Sequence, residues 1–210
     1  MAVSFGIGTF TGCSNYLDVV PDGVATIDNA FSNRINAEKF FFSCYNMLPD
    51  QNSWSNYPGN VVGDEIWWDV PNIDLGKNNG PMIATGNQNI SNPYQNYWDG
   101  DRGGEKTFVG IRDCNIFLEN ISRVPDMTES ERVRWIAEVK FIKAYLHFFL
   151  MELYGPVPII DENIPVNADP ERVKVYREPV DKVVEYVVGL LDEAIENLPE
   201  TYRETFTLSR

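Results

Sequence analysis

The side chains able to do covalent or acid–base chemistry in this sequence mostly stand alone. The single histidine, His147, falls in line with Lys140 and Lys143 beside apolar stripes, which predicts a hydrogen-bonded packing residue rather than a general base. No serine or cysteine near it lies in a recognisable nucleophile motif. Asp64 and Glu65 are adjacent carboxylates, but neighbours in sequence diverge in direction and make poor partners for paired acid–base work. The run Asp99-Gly-Asp101-Arg-Gly-Gly-Glu105 begins like a calcium loop. The twelfth position of that frame is Gly110 where a bidentate Glu is needed, so a plain turn is expected. Cys13, Cys44 and Cys114 have no CxxC spacing, and with one histidine they do not assemble a zinc site. The sequence therefore predicts no catalytic residue, no metal site and no cofactor.

One constellation suits binding without turnover. Trp67-Trp68-Asp69 is followed by Asn72, Asp74, Asn78 and Asn79. Tryptophan rings stack on the apolar faces of pyranose rings, while adjacent Asn and Asp side chains hydrogen-bond hydroxyls. Trp67, Trp68, Asp69, Asn72 and Asp74 are accordingly the candidate ligand-binding residues. They lie within residues 50–103, a stretch dense in Asn, Gly, Pro and aromatics that also holds Trp54, Tyr57, Tyr94, Tyr97 and Trp98. An irregular segment of that length inside a compact domain is usually functional. The competing role for these tryptophans is to anchor the loop to neighbouring helices, and for Trp98 anchoring is the expectation.

The elements that would hold such a loop are helical. Phe40, Phe41, Cys44, Met47 and Leu48 recur at helical spacing and predict a helix over Ala37–Leu48, with Asn36 as its cap and Pro49 as its stop. A second helix is predicted over Glu105–Ile121, where Phe108, Ile111, Cys114, Leu118 and Ile121 form one stripe interrupted nearby by Asn115. Cys44 and Cys114 thus sit on apolar faces, where a buried thiol behaves as a small hydrophobe. Thr128 and Glu131 match a capping box, and Trp135, Val139, Ile142, Leu146, Phe149 and Leu153 then step by four and three. A second stripe of Phe141, Ala144, Tyr145 and Phe148 predicts a helix packed on both sides and ended by Gly155. After a polar connector over 159–177, Pro179 opens a helix over 179–198. Val180, Val183, Val184, Val187, Leu190, Leu191, Ala194, Ile195 and Leu198 are expected inward, and Asp181, Lys182, Glu185, Asp192, Glu193 and Glu196 outward. The helices of 105–198 are expected to form sequential antiparallel pairs with short links, as in tetratricopeptide-like stacks.

Charge narrows the partners. A formal net charge of −14 disfavours nucleic acid, because phosphate binding needs a Lys/Arg surface, and it disfavours a basic membrane-surface helix. Neutral ligands such as sugars remain compatible. The first thirteen residues are short, apolar and rich in small side chains, and they end at Cys13. This resembles the tail of a bacterial lipoprotein signal, in which small residues precede a cysteine that is lipidated. Lys and Arg are missing before Arg34, so Met1 is expected to lie inside a longer signal. Residues 1–13 are then a signal remnant, and 14–210 one helical domain that opens with an extended arm. No stretch of eighteen apolar residues occurs, so membrane contact would come through the lipid on Cys13 alone.

Taken together, several stretches resemble the N-terminal part of the SusD/RagB family of outer-membrane nutrient-binding lipoproteins. They are Cys13-Ser-Asn-Tyr-Leu-Asp-Val-Val-Pro-Asp-Gly23, Phe40 to Pro49 with Tyr45-Asn-Met-Leu48, and Ile111-Arg-Asp-Cys-Asn-Ile-Phe-Leu-Glu-Asn-Ile121. The most specific runs from Glu138 to Pro158, ending Leu-Tyr-Gly-Pro-Val-Pro, and Arg177-Glu-Pro-Val-Asp181 follows at the family's spacing. The resemblance implies an all-α fold of tetratricopeptide-like stacked helix pairs with a long irregular aromatic-rich loop region. It also implies a lipid-anchored position at the cell surface of the outer membrane, an oligosaccharide ligand and a partner TonB-dependent outer-membrane transporter. The C-terminal part of such a domain is expected to lie beyond this chain. Two other readings stay open: a peptide-binding member of the same family, and a helical-repeat interaction module with no small-molecule ligand.

Overall fold

The computed structural model describes residues 26–50, 59, 79–165 and 167–200. Seven α-helices occur among them: α1 (Ile27–Ala30), α2 (Arg34–Tyr45), α3 (Asn79–Ala84), α4 (Thr107–Asn120), α5 (Glu129–Tyr154), α6 (Pro170–Val173) and α7 (Val180–Ile195). A 3₁₀ turn, Ile121–Arg123, follows α4, and the only β pairing among the described residues is two isolated bridges. The all-α expectation holds. The short α3 lies within the stretch expected to be irregular.

Two caps differ from the sequence reading. Asn33, not Asn36, caps α2: its side-chain oxygen accepts the Asn36 N–H at 2.9 Å. The helix starts three residues early because its polar first turn is tied to another helix, which apolar periodicity does not report. Arg34 donates from Nε and Nη2 to the Glu131 carboxylate at 3.0 and 2.6 Å, and its backbone N–H donates to Asp126 at 2.7 Å. At the start of α5, the Thr128 hydroxyl accepts the Glu131 N–H at 3.3 Å, as a capping box requires. The Glu131 carboxylate, expected to reach back to Thr128, serves Arg34 instead. Half of the box is local and half has become an interhelical ion pair.

Contacts along the helices give their directions. Phe41 lies against Phe117 and Met47 against Gly110, so α2 and α4 run antiparallel. Phe117 meets Trp135 while Gly110 meets Leu146, so α4 and α5 are antiparallel as well. Lys140 pairs with Glu193 and His147 with Tyr186, which sets α7 antiparallel to α5. α5 is thus the interior helix, with α4 on one side and α7 on the other. This is the expected stacking of antiparallel pairs. Its central rungs are aromatic: Phe41 stacks on Trp135 at 4.8 Å between centroids and 12° between planes, with Phe31 and Phe117 alongside.

Three packing expectations need correction. The stripe Trp135, Val139, Ile142, Leu146 and Phe149 is buried, but Phe141 and Phe148 of the second stripe are 44% and 41% exposed. The side of α5 that meets α7 holds Lys140, Lys143 and His147 instead, so the second buried face is partly polar. On α7, Val183, Val187, Leu190 and Ala194 are buried, whereas Val180, Val184 and Ile195, expected inward, are exposed along with Val188. A single neighbour covers only a narrow stripe of a helix, and the apolar arc of α7 is wider than α5 reaches. The link from α5 to α7 is not short. It spans 155–179, includes α6, and is closed by an antiparallel bridge between Val157 and Glu178.

Candidate functional site

The sequence-predicted site lies outside the described residues. That holds for Trp67, Trp68, Asp69, Asn72 and Asp74, and for Cys13. The described structure does contain a cleft of about 780 Å³, formed where the 88–101 loop meets the C-terminal end of α5 and the strand-like approach to α7. Asn96, Trp98, Asp99 and Asp101 supply one wall, and Tyr154 and Arg177 the other.

The loop is shaped by its own amides. Gln88 mimics a strand neighbour, donating to the Tyr94 carbonyl at 2.9 Å and accepting the Tyr94 N–H at 2.7 Å. The Asn96 side-chain oxygen accepts the N–H groups of Trp98 and Asp99 at 3.0 and 3.1 Å, while its backbone oxygen accepts from Gly100 and Asp101. Asp99 to Glu105 is therefore a turn built by Asn96, as expected of that acidic run. Arg102, at φ 49°, donates to the Asn92 carbonyl at 3.0 Å and lies 3.7 Å from the Tyr94 ring centroid.

Trp98 anchors the loop, as the sequence led one to expect. It meets Phe108 and Tyr154 edge to face at 4.9 and 5.4 Å, and the Tyr154 hydroxyl accepts the Tyr97 N–H at 3.0 Å. Tyr97 is itself buried edge-on against Phe149 of α5 at 4.9 Å. Burial raises the Tyr154 phenol above its ordinary pKa, so it stays a neutral hydrogen-bonding group. The Arg177 guanidinium sits 4.5 Å from the centroid of Trp98 and donates to the Pro156 carbonyl at 3.2 Å. A sugar ring stacking on that face of Trp98 would have to displace it. The cleft offers amides, two carboxylates, a phenol and a guanidinium around aromatic rings, a set suited to hydrogen-bonding a polyhydroxylated ligand. Tyr154, Arg177 and Asn96 were not singled out from sequence. Tyr154 precedes the helix-ending glycine and so reads as the last turn of scaffold.

A second polar cluster is structural. Lys143, 2% exposed, donates from Nζ to the backbone and side-chain oxygens of Asp161 at 2.8 and 2.9 Å. Tyr186 of α7 donates to the same carboxylate at 2.7 Å, which with Lys143 holds Asp161 below the ordinary carboxylate range. His147 is fully buried. One ring nitrogen, Nδ1, lies 2.8 Å from the Lys143 carbonyl, and Nε2 accepts the Ile160 N–H at 3.3 Å. Burial is the main reason that its pKa falls to about 4. Asn115, the polar interruption in α4, donates to the Ile160 carbonyl at 3.2 Å. These groups fasten residues 160–161 to three helices. His147 is the hydrogen-bonded packing residue the sequence predicted, and both ring nitrogens are committed to backbone groups. Cys44 and Cys114 are buried and free, as expected of thiols on apolar faces.

No helix among the described residues is long and apolar enough to cross a membrane. No curated protein matches the chain. Several solved structures share its fold. Surface glycan-binding protein A from Bacteroides uniformis aligns with a TM-score of 0.61 at 20% identity, over 80% of this chain and 36% of its own. A laminarin-binding SusD-like protein aligns with a TM-score of 0.56 at 22% identity, over 80% and 35%. A SusD-like protein from Bacteroides fragilis gives 0.58 at 20% identity, over 85% and 33%. The chain thus spans about a third of the length of these relatives. Residues 15–210 match the SusD-like family model described as starch-binding and associating with the outer membrane, and the chain belongs to that family.

Proposed function

We propose that this chain is part of a cell-surface lipoprotein that binds oligosaccharides and delivers them to a partner TonB-dependent outer-membrane transporter. The observation that carries the reading is the family match over residues 15–210, with its description of starch binding and outer-membrane association. Two structural relatives are named for glycan or laminarin binding. Cys13 is the lipid anchor, so the protein is held at the outer membrane without spanning it. Trp67, Trp68, Asp69, Asn72 and Asp74 contact the glycan, with the rings stacking and the polar groups binding hydroxyls. The cleft between Trp98, Tyr154 and Arg177 is a further surface of compatible chemistry. The function is capture without turnover. In support, His147 is fully buried and both its ring nitrogens meet backbone groups, which leaves it no access to a substrate.

Affinity electrophoresis of the chain through gels containing soluble starch or laminarin tests the reading. Retardation by at least one neutral polysaccharide is expected, and Trp67→Ala with Trp68→Ala should weaken it about tenfold or more, as loss of a stacking platform would. Calorimetric binding of peptides with no response to any polysaccharide would replace the glycan by a peptide ligand. Incorporation of labelled palmitate in the native host, lost in Cys13→Ala, tests the anchor. Co-purification of a TonB-dependent barrel with the full-length lipoprotein tests the partnership.

A further inference from the structure

Two of the three cysteines sit on facing helices, at matching heights. The antiparallel contact between α2 and α4 has a rung at each end: Met47 against Gly110, and Phe41 against Phe117 at 5.8 Å between rings. Cys44 lies three residues from both Met47 and Phe41, and Cys114 lies between Gly110 and Phe117, so the middle rung is Cys44 with Cys114. Gly110 brings the backbones close there. A β-carbon added to it would come within 2.7 Å of the Met47 β-carbon, a separation that only glycine permits. Both thiols are fully buried in the core. The Cys44 thiol is pushed far above its ordinary pKa, chiefly by the Cys114 thiol lying against it and then by burial.

We propose that Cys44 and Cys114 are a disulfide-forming pair that staples α2 to α4 when the chain folds in the presence of a disulfide-exchanging oxidant. In the exchange, one cysteine thiolate attacks a sulfur of the oxidant's disulfide and expels a thiolate. The second cysteine thiolate attacks the resulting mixed disulfide and expels the other. Two electrons pass from the protein to the oxidant, and the two protons released by the cysteines leave on its thiols. The step belongs to folding rather than to the finished protein. Once α2 has docked, both thiols are shielded from solvent and the Cys44 thiol is held protonated, and a protonated thiol does not attack. The bond closes a loop of about 70 residues, long enough to restrict the unfolded chain substantially.

The test refolds the full chain from denaturant in reduced and oxidised glutathione, and in a parallel sample in reductant alone. Each is quenched in acid, alkylated under denaturing conditions and mapped by peptide mass spectrometry, which distinguishes Cys13 from the pair. A linked peptide joining Cys44 to Cys114 is expected in the glutathione sample, with a Tm higher by on the order of 10 °C than the reduced wild type. Comparing two redox states of one sequence keeps cavity effects out of the measurement. The linked form should also resist reductant in the native state and yield to it in denaturant. Full alkylation of both cysteines after oxidative refolding would overturn the proposal, as would a linkage from either of them to Cys13. Equal Tm values for linked and reduced chains would overturn the stapling role.

Discussion

The backbone N–H of Ile160 donates to Nε2 of His147 at 3.3 Å, which makes the imidazole of α5 an acceptor for a loop that follows it in the chain. The same residue's carbonyl accepts from Asn115 of α4 at 3.2 Å. An extended segment is thereby held on both its polar groups by side chains of two helices.

This arrangement predicts an acid-sensitive stability. His147 titrates at about 4 in the fold, against roughly 6.5 in an unfolded chain. Above pH 6.5 the ring is neutral in both states and no cost arises. As the pH falls from about 6.5 to about 4, the unfolded state takes up the proton first, so stability is lost, by about 3 kcal/mol in all. Groups facing the ring include Lys143 and Asp161; the latter titrates below its ordinary range, so its own loss falls at lower pH. Urea unfolding between pH 4.5 and 7.5 should show the slope, and His147→Gln should flatten it while lowering stability at pH 7.5 by about 1–3 kcal/mol.

The Lys143–Asp161 pair should respond asymmetrically. Lys143 is 2% exposed, whereas the Asp161 side chain is 72% exposed. Asp161→Ala strands a buried ammonium with one remaining backbone acceptor and should cost about 3 kcal/mol. Lys143→Met leaves a carboxylate that water serves and that Tyr186 still donates to, and should cost about 1 kcal/mol. Chemical denaturation of the two variants at pH 7 compares them directly; equal losses would mean the burial of Lys143 is not what matters.

Gly155 ends α5 at φ 71° and ψ −121°, and its N–H donates to the Met151 carbonyl at 2.8 Å. A β-carbon there meets nothing within 4 Å, so any penalty is conformational rather than steric crowding by neighbours. Gly155→Ala should cost about 1–3 kcal/mol, because that backbone region is almost closed to residues with a side chain. Thermal unfolding should register a Tm lower by several degrees.

Gly110 is the opposite case. It is helical, and alanine there would gain about 1 kcal/mol of intrinsic helix preference. An added β-carbon would meet Met47 at 2.7 Å and Leu146 at 3.0 Å, between α2 and α5. Crowding of this kind costs roughly 1–3 kcal/mol, so the net change should be a loss. Gly110→Ala combined with Met47→Ala should recover part of it, which a double-mutant cycle would show.

The scaffold was more legible in the sequence than the site. Apolar stripes placed α4, α5 and α7 to within a few residues, and Thr128 and Gly155 marked both ends of the longest helix. Spacing alone does not say how many neighbours a helix has. Phe141, Phe148, Val184 and Ile195 looked inward because they are apolar and periodic, yet α5 and α7 each leave an arc uncovered. In the sequence Lys143 is legible only as a position in line with Lys140 and His147 beside the apolar stripes; its partner Asp161 lies across a turn that no local pattern encodes. Among the aromatic residues of the 50–103 loop, Trp98 is the anchor its sequence context led one to expect. The Asn96–Tyr154–Arg177 grouping joins three distant segments and has no linear signature, and Trp67 and Trp68 lie outside the described residues.

The uncovered arc of α7 also bears on how this chain behaves as a colloid. Val184, Val188 and Ile195 present an apolar strip on a molecule carrying a formal charge of −14. At neutral pH and low ionic strength, mutual repulsion keeps two such strips from meeting. Screening by about 1 M salt, or titration toward the sequence pI of about 4.4, removes that repulsion while leaving the strip intact. Light scattering should therefore rise with salt and with acid, and Val188→Lys with Ile195→Lys should suppress the rise in salt.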